Sequence, residues 1–383
     1  MQAFIPDIIF IDPNAQNSAL AKRVLKKFPR TETQIIADKS LIKTSQAHSV
    51  AKKQLYITNY KGKPIKNCQG MGDYVCCLYY TIALVSDCHL ECTYCILQDY
   101  LFNNPVITLY ANVDEILEAI SKKSKEHPEK TIRVGTGELS DSLALDHITE
   151  YSKDLISFAH EHPNVVIEFK SKTANIAGLL KEDAPKNVVV SWSINPQKFI
   201  RQEEHKTSPL AERLAAAKQC SDHGYRIAFH LDPLLHLENW QNEYEGLIKK
   251  LREDFNDDEI AWLSVGSLRF TPGLKKVMEE RFPNSKLLAG ELYPSADGKI
   301  RYFRPLREQM YQHVVGLLKQ HFKQTPHYLC METKTVWENV YGNTPESNTA
   351  LEAHLAKGVT GPSEQASKPK TSTNTAVEQG FAV

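Results

Sequence analysis

The stretch Ser86-Asp87-Cys88-His89-Leu90-Glu91-Cys92-Thr93-Tyr94-Cys95-Ile96-Leu97-Gln98 constrains this chain more than any other. Its three cysteines stand at C-x3-C-x2-C spacing and follow an apolar run, Leu78 to Val85, that reads as a strand. The spacing lets three thiolates converge on one point with no regular element between them. Thiolates select soft metals, so the group they suit is an iron–sulfur cluster or zinc. Three ligands leave one coordination position open, and an open position is where chemistry happens. The alternative is a structural zinc site closed by Cys68, Cys76 or Cys77. Those three thiols also fit as extra ligands, redox groups or small buried hydrophobes.

A chain of 383 residues with 42% hydrophobic content allows one large α/β domain with additions, or two domains. Formal net charge is zero, so no global field draws nucleic acid, although a local basic groove is still allowed. The amino-terminal residues carry no basic region ahead of an apolar core, which reads as no signal peptide. No apolar run approaches the ~20 residues that span a bilayer. A cytoplasmic setting is expected, and there clustered cysteines are metal ligands rather than disulfides.

Residues 1–77 read as a mixed leader, with an amphipathic helix over 21–28 and a strand over 54–60. From 78 to 286 strands and helices alternate. Strand candidates are 81–85, 131–135, 165–169, 188–193, 226–231 and 260–265. Between them, Asn112 with Glu115 opens a helix over 113–123 in capping-box style, and Asp146 opens one over 148–160. Ser208-Pro209 opens 210–223, Gly224 closes it, and 238–253 is helical. Six β/α units without a Gly-rich phosphate fingerprint predict an α/β fold, a parallel sheet curling into a partial (β/α)6 barrel. Residues 287–356 read as a carboxy-terminal extension with a turn at Ala296-Asp297-Gly298-Lys299, a basic strand over 300–304 and a helix over 308–321. Residues 357–383 have little to bury and read as a disordered tail.

In a curled parallel sheet the functional groups gather at the carboxyl ends of the strands. Those ends are polar here: Gly135-Thr136-Gly137-Glu138-Leu139-Ser140-Asp141, then Lys170-Ser171-Lys172, Ser191-Trp192-Ser193-Ile194-Asn195, and His230-Leu231-Asp232-Pro233. Taken singly each is a cap or a solvated group. Together with a cysteine loop after the first strand they make a site. Gly137 lets a ligand approach the backbone, and Ser and Lys suit ribose hydroxyls and a carboxylate.

The cysteine loop resembles that of the radical S-adenosylmethionine (SAM) superfamily, in which the three cysteines hold a [4Fe-4S] cluster and the fourth iron chelates SAM. A narrower resemblance, spread over about 78–342, is to the spore photoproduct lyase family. It rests on Cys88–Leu101, Leu139-Ser140-Asp141 with Asp146-His147-Ile148-Thr149, Gly298-Lys299-Ile300-Arg301-Tyr302-Phe303-Arg304-Pro305-Leu306-Arg307, and Tyr328-Leu329-Cys330-Met331-Glu332 with Trp337. The resemblance implies DNA repair. Reduced cluster splits SAM, the resulting radical takes a hydrogen atom from a thymine dimer, and the bridge between the thymines breaks. A cysteine then quenches the thymine radical, and tyrosines help return a hydrogen. It also implies an external flavodoxin- or ferredoxin-like electron donor.

Carried over by position, Cys88, Cys92 and Cys95 hold the cluster, and Ser140, Lys172 and Ser193 contact SAM. Tyr94 is one relay tyrosine, and Arg301, Tyr302 and Arg304 face DNA. Two positions depart from the family. Its hydrogen-donating cysteine is Glu138 here, and the second relay tyrosine is Ile96. A carboxylate has no weak S–H bond to give up. In compensation Thr136-Gly137-Glu138 is similar to the Gly-Gly-Glu pattern that holds the SAM amino group in other radical SAM enzymes. Three readings follow: a lyase-like enzyme on DNA, a radical SAM enzyme on another substrate, and a non-enzymatic iron–sulfur or zinc protein.

Overall fold

The computed structural model describes residues 4–42, 48–68 and 74–360. An eight-stranded sheet runs in the order His327–Leu329, Ile260–Ser267, Arg226–Leu234, Val188–Ser193, Val165–Ser171, Ile132–Gly135, Tyr80–Ile82, Ile65–Asn67. Every neighbouring pair is parallel except the last, where Ile65–Asn67 runs antiparallel as an edge strand. The six parallel strands anticipated from the β/α alternation are all there. They are rich in Val and Ile because helices cover one face and the opposite face turns inward.

The curl is measurable. Arg133 and Trp262 lie on strands four places apart in the sheet order. A flat sheet at about 4.8 Å per strand would hold them about 19 Å apart. Instead the guanidinium sits 4.4 Å from the Trp262 ring. Likewise Glu168 meets His230 at 2.7 Å across an intervening strand. Polar residues at alternate positions therefore face one another inside a partial barrel.

A second sheet of five strands runs Glu32–Ile35, Ile8–Ile11, Gln54–Thr58, Ile107–Tyr110, Val85–Ser86. It joins residues before 77 to strands beyond it, so the leader is built into the same structure as the barrel. Its amphipathic helix, Ala19–Lys27, is capped by Ser18 and buries Leu20, Ala21 and Val24.

Several local expectations are corrected. Leu78 to Val85 is not one strand. Leu78 has φ 52°, Tyr80–Ile82 joins the barrel, and Val85–Ser86 crosses to the second sheet. Apolarity alone does not say which sheet a residue enters. The helix opened by Asp146 stops at Thr149, because Glu150 turns left-handed at φ 54°, and resumes over Tyr151–Glu161. Asp146 instead accepts from the Ser152 amide and hydroxyl. Asn112 pairs with Glu115 as expected, donating to its Oε2 at 2.8 Å, but caps no amide of Val113–Glu126; its side chain also exchanges hydrogen bonds with the Tyr60 backbone. Ser208 accepts from the Ala174 amide rather than capping Leu210–Asp222.

In the extension, Leu292–Pro294 and Ile300–Tyr302 form a hairpin to which Arg269–Phe270 adds a third strand. The following helix, Arg304–His321, starts four residues earlier than expected, with Pro305 in its first turn. Of the expected tail, Lys357 to Thr360 close the helix Asn348–Thr360, and 361–383 lie outside the described residues. Among the described residues no helix is long and apolar enough to cross a membrane.

Candidate functional site

The cysteine loop leaves the second sheet, after Val85–Ser86, through Asp87, a non-glycine residue at φ 71°. The Asp87 carboxylate accepts the Cys88 amide at 2.7 Å. Glu91–Cys92 pairs antiparallel with Glu204–His205, and Gln98 Nε2 donates to the Cys92 carbonyl at 2.8 Å. The loop is thereby fixed without being helical or extended throughout. Cys88 and Cys92 are buried and Cys95 is half-buried.

Burial pushes the Cys88 thiol up to about 12, helped by Asp141 and opposed by Lys52. Burial also raises Cys92, where Cys95 and Cys88 add to the rise and Lys172 opposes it, and it raises Cys95. Three thiols that resist ionisation together, with two lysines turned toward them, are a donor set for a metal group whose own charge would displace their protons. Among the described residues no three His, Cys, Asp or Glu side chains converge as the ligands of a single ion do. The thiols proposed to close a zinc site face elsewhere: Cys68 interacts with Cys77, Cys76, Glu138 and Arg269. The donors present fit a multi-iron cluster in which each iron takes one thiolate.

The expected SAM-contacting residues sit on neighbouring strand ends. A Cβ at Gly137 would lie 3.2 Å from Lys170 Cβ and 3.4 Å from Ser142 Oγ, so any larger residue here would crowd the neighbouring strand end. Glu138 is exposed and accepts from Thr81 Oγ1 at 2.6 Å. Ser140 is buried with an unpartnered hydroxyl. Lys172 Nζ stands 5.8 Å from the Tyr94 ring centroid. Ser193 is buried, and its carbonyl accepts from Arg213 at 2.8 Å. Asp141 fixes this rim: it accepts from Ser171 Oγ, Lys172 N, Leu143 N and Ala144 N, all between 2.6 and 3.0 Å.

Tyr94 donates to the buried carboxylate of Glu204. Glu204 also meets Arg213 at 2.7 Å and Asn195 at 2.9 Å. Burial works to raise Glu204, but Arg213 and Lys172 outweigh it and hold the carboxyl at about 2. Burial and the Glu204 charge push Tyr94 well above its ordinary value. Sequence reasoning missed Glu204 and Arg213, since neither belongs to a motif or a strand end. Ile96, at the second tyrosine position, packs among the apolar residues around Cys88.

Deeper in the mouth, Arg269 forms a fork with Asp232, both bonds 3.0 Å, and lies 3.7 Å from Cys330 Sγ. Arg269, Lys170 and His230 hold Asp232 below the usual carboxylate range against the effect of burial.

Two expected DNA-facing residues are corrected. Arg301 is 1% exposed, bonds Asp297 at 2.6 Å and the Met331 carbonyl at 3.2 Å, and lies over Tyr74. Tyr302 is also 1% exposed, and its hydroxyl accepts the His236 amide at 3.0 Å. As neighbours in one strand the two side chains leave on opposite faces, and both faces are covered, by Asp297, Met331 and Tyr74 around Arg301 and by His236 at Tyr302. Arg304 is exposed, within 3.5 Å of Glu308. Beside it in sequence is exposed Phe303, whose ring lies 5.3 Å from that of exposed Tyr293.

Known proteins agree with this architecture. A relative from Clostridium acetobutylicum named spore photoproduct lyase is 30% identical over 54% of this chain and 62% of that protein. One of the same name from Bacillus subtilis is 27% identical over 74% of this chain and 84% of its own length. The solved structure of spore photoproduct lyase complexed with dinucleoside spore photoproduct superposes with a TM-score of 0.76 at 23% identity, covering 86% of this chain and all of that one. A variant solved with bound AdoMet and the same dinucleoside gives the same TM-score. At that identity the likeness speaks for the fold. The family model described as spore photoproduct lyase matches residues 4–326, most of the length, and the chain belongs to the spore photoproduct lyase family.

Proposed function

We propose that this protein is a radical SAM lyase that repairs a pyrimidine lesion in DNA. The observation that carries the reading is the loop of three cysteines, two buried and one half-buried, beside a strand-end rim that holds Gly137, Ser140, Lys172 and Ser193. Cys88, Cys92 and Cys95 hold a [4Fe-4S] cluster, which when reduced supplies the electron that cleaves SAM. The Gly137 backbone and Glu138 receive the SAM amino group, Lys172 its carboxylate, and the buried hydroxyls of Ser140 and Ser193 its remaining polar atoms. Tyr94 is the relay tyrosine, oriented by Glu204.

On the nucleic-acid side, Arg304 contacts phosphate while exposed Phe303 and Tyr293 offer stacking faces. A lesion inside a duplex must leave the stack to reach the mouth of a barrel. The electron arrives from a flavodoxin- or ferredoxin-like donor, in a reducing cytoplasm that suits eight free cysteines.

Glu138 cannot donate a hydrogen atom to a carbon radical. Cys68, which interacts with Glu138 and Arg269, takes that role in this reading. Glu138 and Ile96 also favour a second reading, the same SAM chemistry on a different substrate. The test is anaerobic: reconstituted, reduced protein assayed for 5′-deoxyadenosine with and without DNA carrying the photoproduct. Cleavage with restored thymines supports repair, and its loss in Cys68→Ala assigns the donor. Cleavage without repair selects the second reading. No cleavage from fully loaded protein overturns both.

A further inference from the structure

The cysteine loop is held by a residue that the barrel does not supply. Lys52 lies in the turn between His48–Ala51 and Gln54–Thr58, in the second sheet. Its ammonium is 3.2 Å from Asp87 Oδ1 and donates to the Leu90 carbonyl at 3.3 Å, with Lys52 2% and Asp87 0% exposed. One cation thus grips the loop on both sides of Cys88. Asp87 has the left-handed backbone that a side chain disfavours, so it stays there only because surrounding contacts hold it.

Burying an ion pair is expensive, and for stability alone apolar residues would serve as well or better. The orientation of this pair supplies a reason for it. Asp87 immediately precedes Cys88, and the Leu90 carbonyl that the ammonium bonds lies between Cys88 and Cys92. The cationic end of the pair is therefore held against the first half of the cysteine loop.

We infer that Lys52 is a positioning residue for the iron–sulfur site, and that its fixed charge on either side of Cys88 raises the reduction potential of the cluster held there. Reduction adds an electron to a group already bound by three thiolates, and a nearby cation in a poorly screened interior stabilises the more negative state. The inference rests on Cys88, Cys92 and Cys95 being the ligands.

The test is a redox titration of the anaerobically reconstituted protein, followed by electron paramagnetic resonance, with iron and sulfide content measured in parallel. The double variant Lys52→Met/Asp87→Asn removes the pair without stranding either charge. It is expected to load a full cluster and to show a roughly tenfold smaller reduced-to-oxidised ratio at fixed poise, which for one electron is about 59 mV. Asp87→Asn alone, leaving the cation uncompensated, is expected to shift the potential the opposite way. Lys52→Arg is expected to stay near wild type. A loaded double variant titrating at the wild-type potential overturns the inference. If the double variant keeps its circular dichroism but loses the cluster, retention in Lys52→Arg supports a role for the charge, and loss there too overturns it. Wild-type protein that binds no cluster overturns the ligand assignment instead.

Discussion

The cysteine loop and the Arg301–Arg307 segment carry equally conspicuous motifs, yet the fold uses them in opposite ways. The loop turns its cysteines inward, burying Cys88 and Cys92 and half-burying Cys95. The basic segment turns most of its charge inward. Arg307 forks onto Glu332 at 2.8 and 3.2 Å, Tyr311 donates to the same carboxylate at 2.8 Å, and Arg301 lies 3.9 Å from it. Glu332 is fully buried just after the sheet strand His327–Leu329, and the Ser267 amide donates to Tyr311 Oη at 2.8 Å, so these residues clamp the hairpin and helix of the extension onto the barrel sheet. Of the three residues expected to face DNA, only Arg304 stays outside. A run of arginines is a nucleic-acid surface only where the tertiary structure leaves it facing solvent.

Four measurements break or sharpen this contrast. The largest effect belongs to the loop: Cys88→Ala, Cys92→Ala or Cys95→Ala should abolish 5′-deoxyadenosine formation and the iron content of a full cluster, while urea denaturation finds a folded protein. The clamp should respond in the reverse sense. Arg307→Met leaves Glu332 buried with one partner fewer, and breaking a buried pair costs about 3–5 kcal/mol. That loss should appear in urea unfolding, with SAM cleavage per folded molecule little changed. Loss of cleavage without loss of stability would place the clamp in the chemistry.

The third measurement concerns pH. Glu204 is held at about 2 against an ordinary 4.5, so its contribution to stability is complete above about 4.5 and is lost as pH falls toward 2. The drop corresponds to about 3 kcal/mol. Thermal unfolding between pH 5 and 2.5 should show that slope in the wild type and a shallower one in Glu204→Gln. The smallest effect is at Arg304, where Arg304→Ala should move stability by no more than about 0.5 kcal/mol. It should weaken DNA binding and reduce the salt slope by about one. An unchanged salt slope would remove Arg304 from the DNA surface.

Much of the fold was legible in the sequence because its determinants are local. Val188–Ser193 was read to the residue, since a β-branched run between a turn and a helix has one good structural use. Four more barrel strands agree to within a few residues at each end, whereas the sheet's outer strands, His327–Leu329 and Ile65–Asn67, carry too short an apolar pattern to be read. The errors fell where a distant partner overrode a local signal: Leu78 to Val85 split between two sheets, and Asn112 and Ser208 bonded remote backbone instead of capping the amides of their own helices.

The sequence by itself determined the cysteine spacing, the β/α alternation and the polar strand ends. Each depends on residues only a few positions apart, at the periods that strands, helices and ligand loops impose. The tertiary structure alone decided that Lys52 grips the cysteine loop 35 residues away in sequence, that Glu204 receives the Tyr94 hydroxyl across a separation of 110, and that Arg301 and Tyr302 turn inward. A buried charge must find its partner wherever the folded chain brings one, and nothing in the spacing of a motif records where that will be.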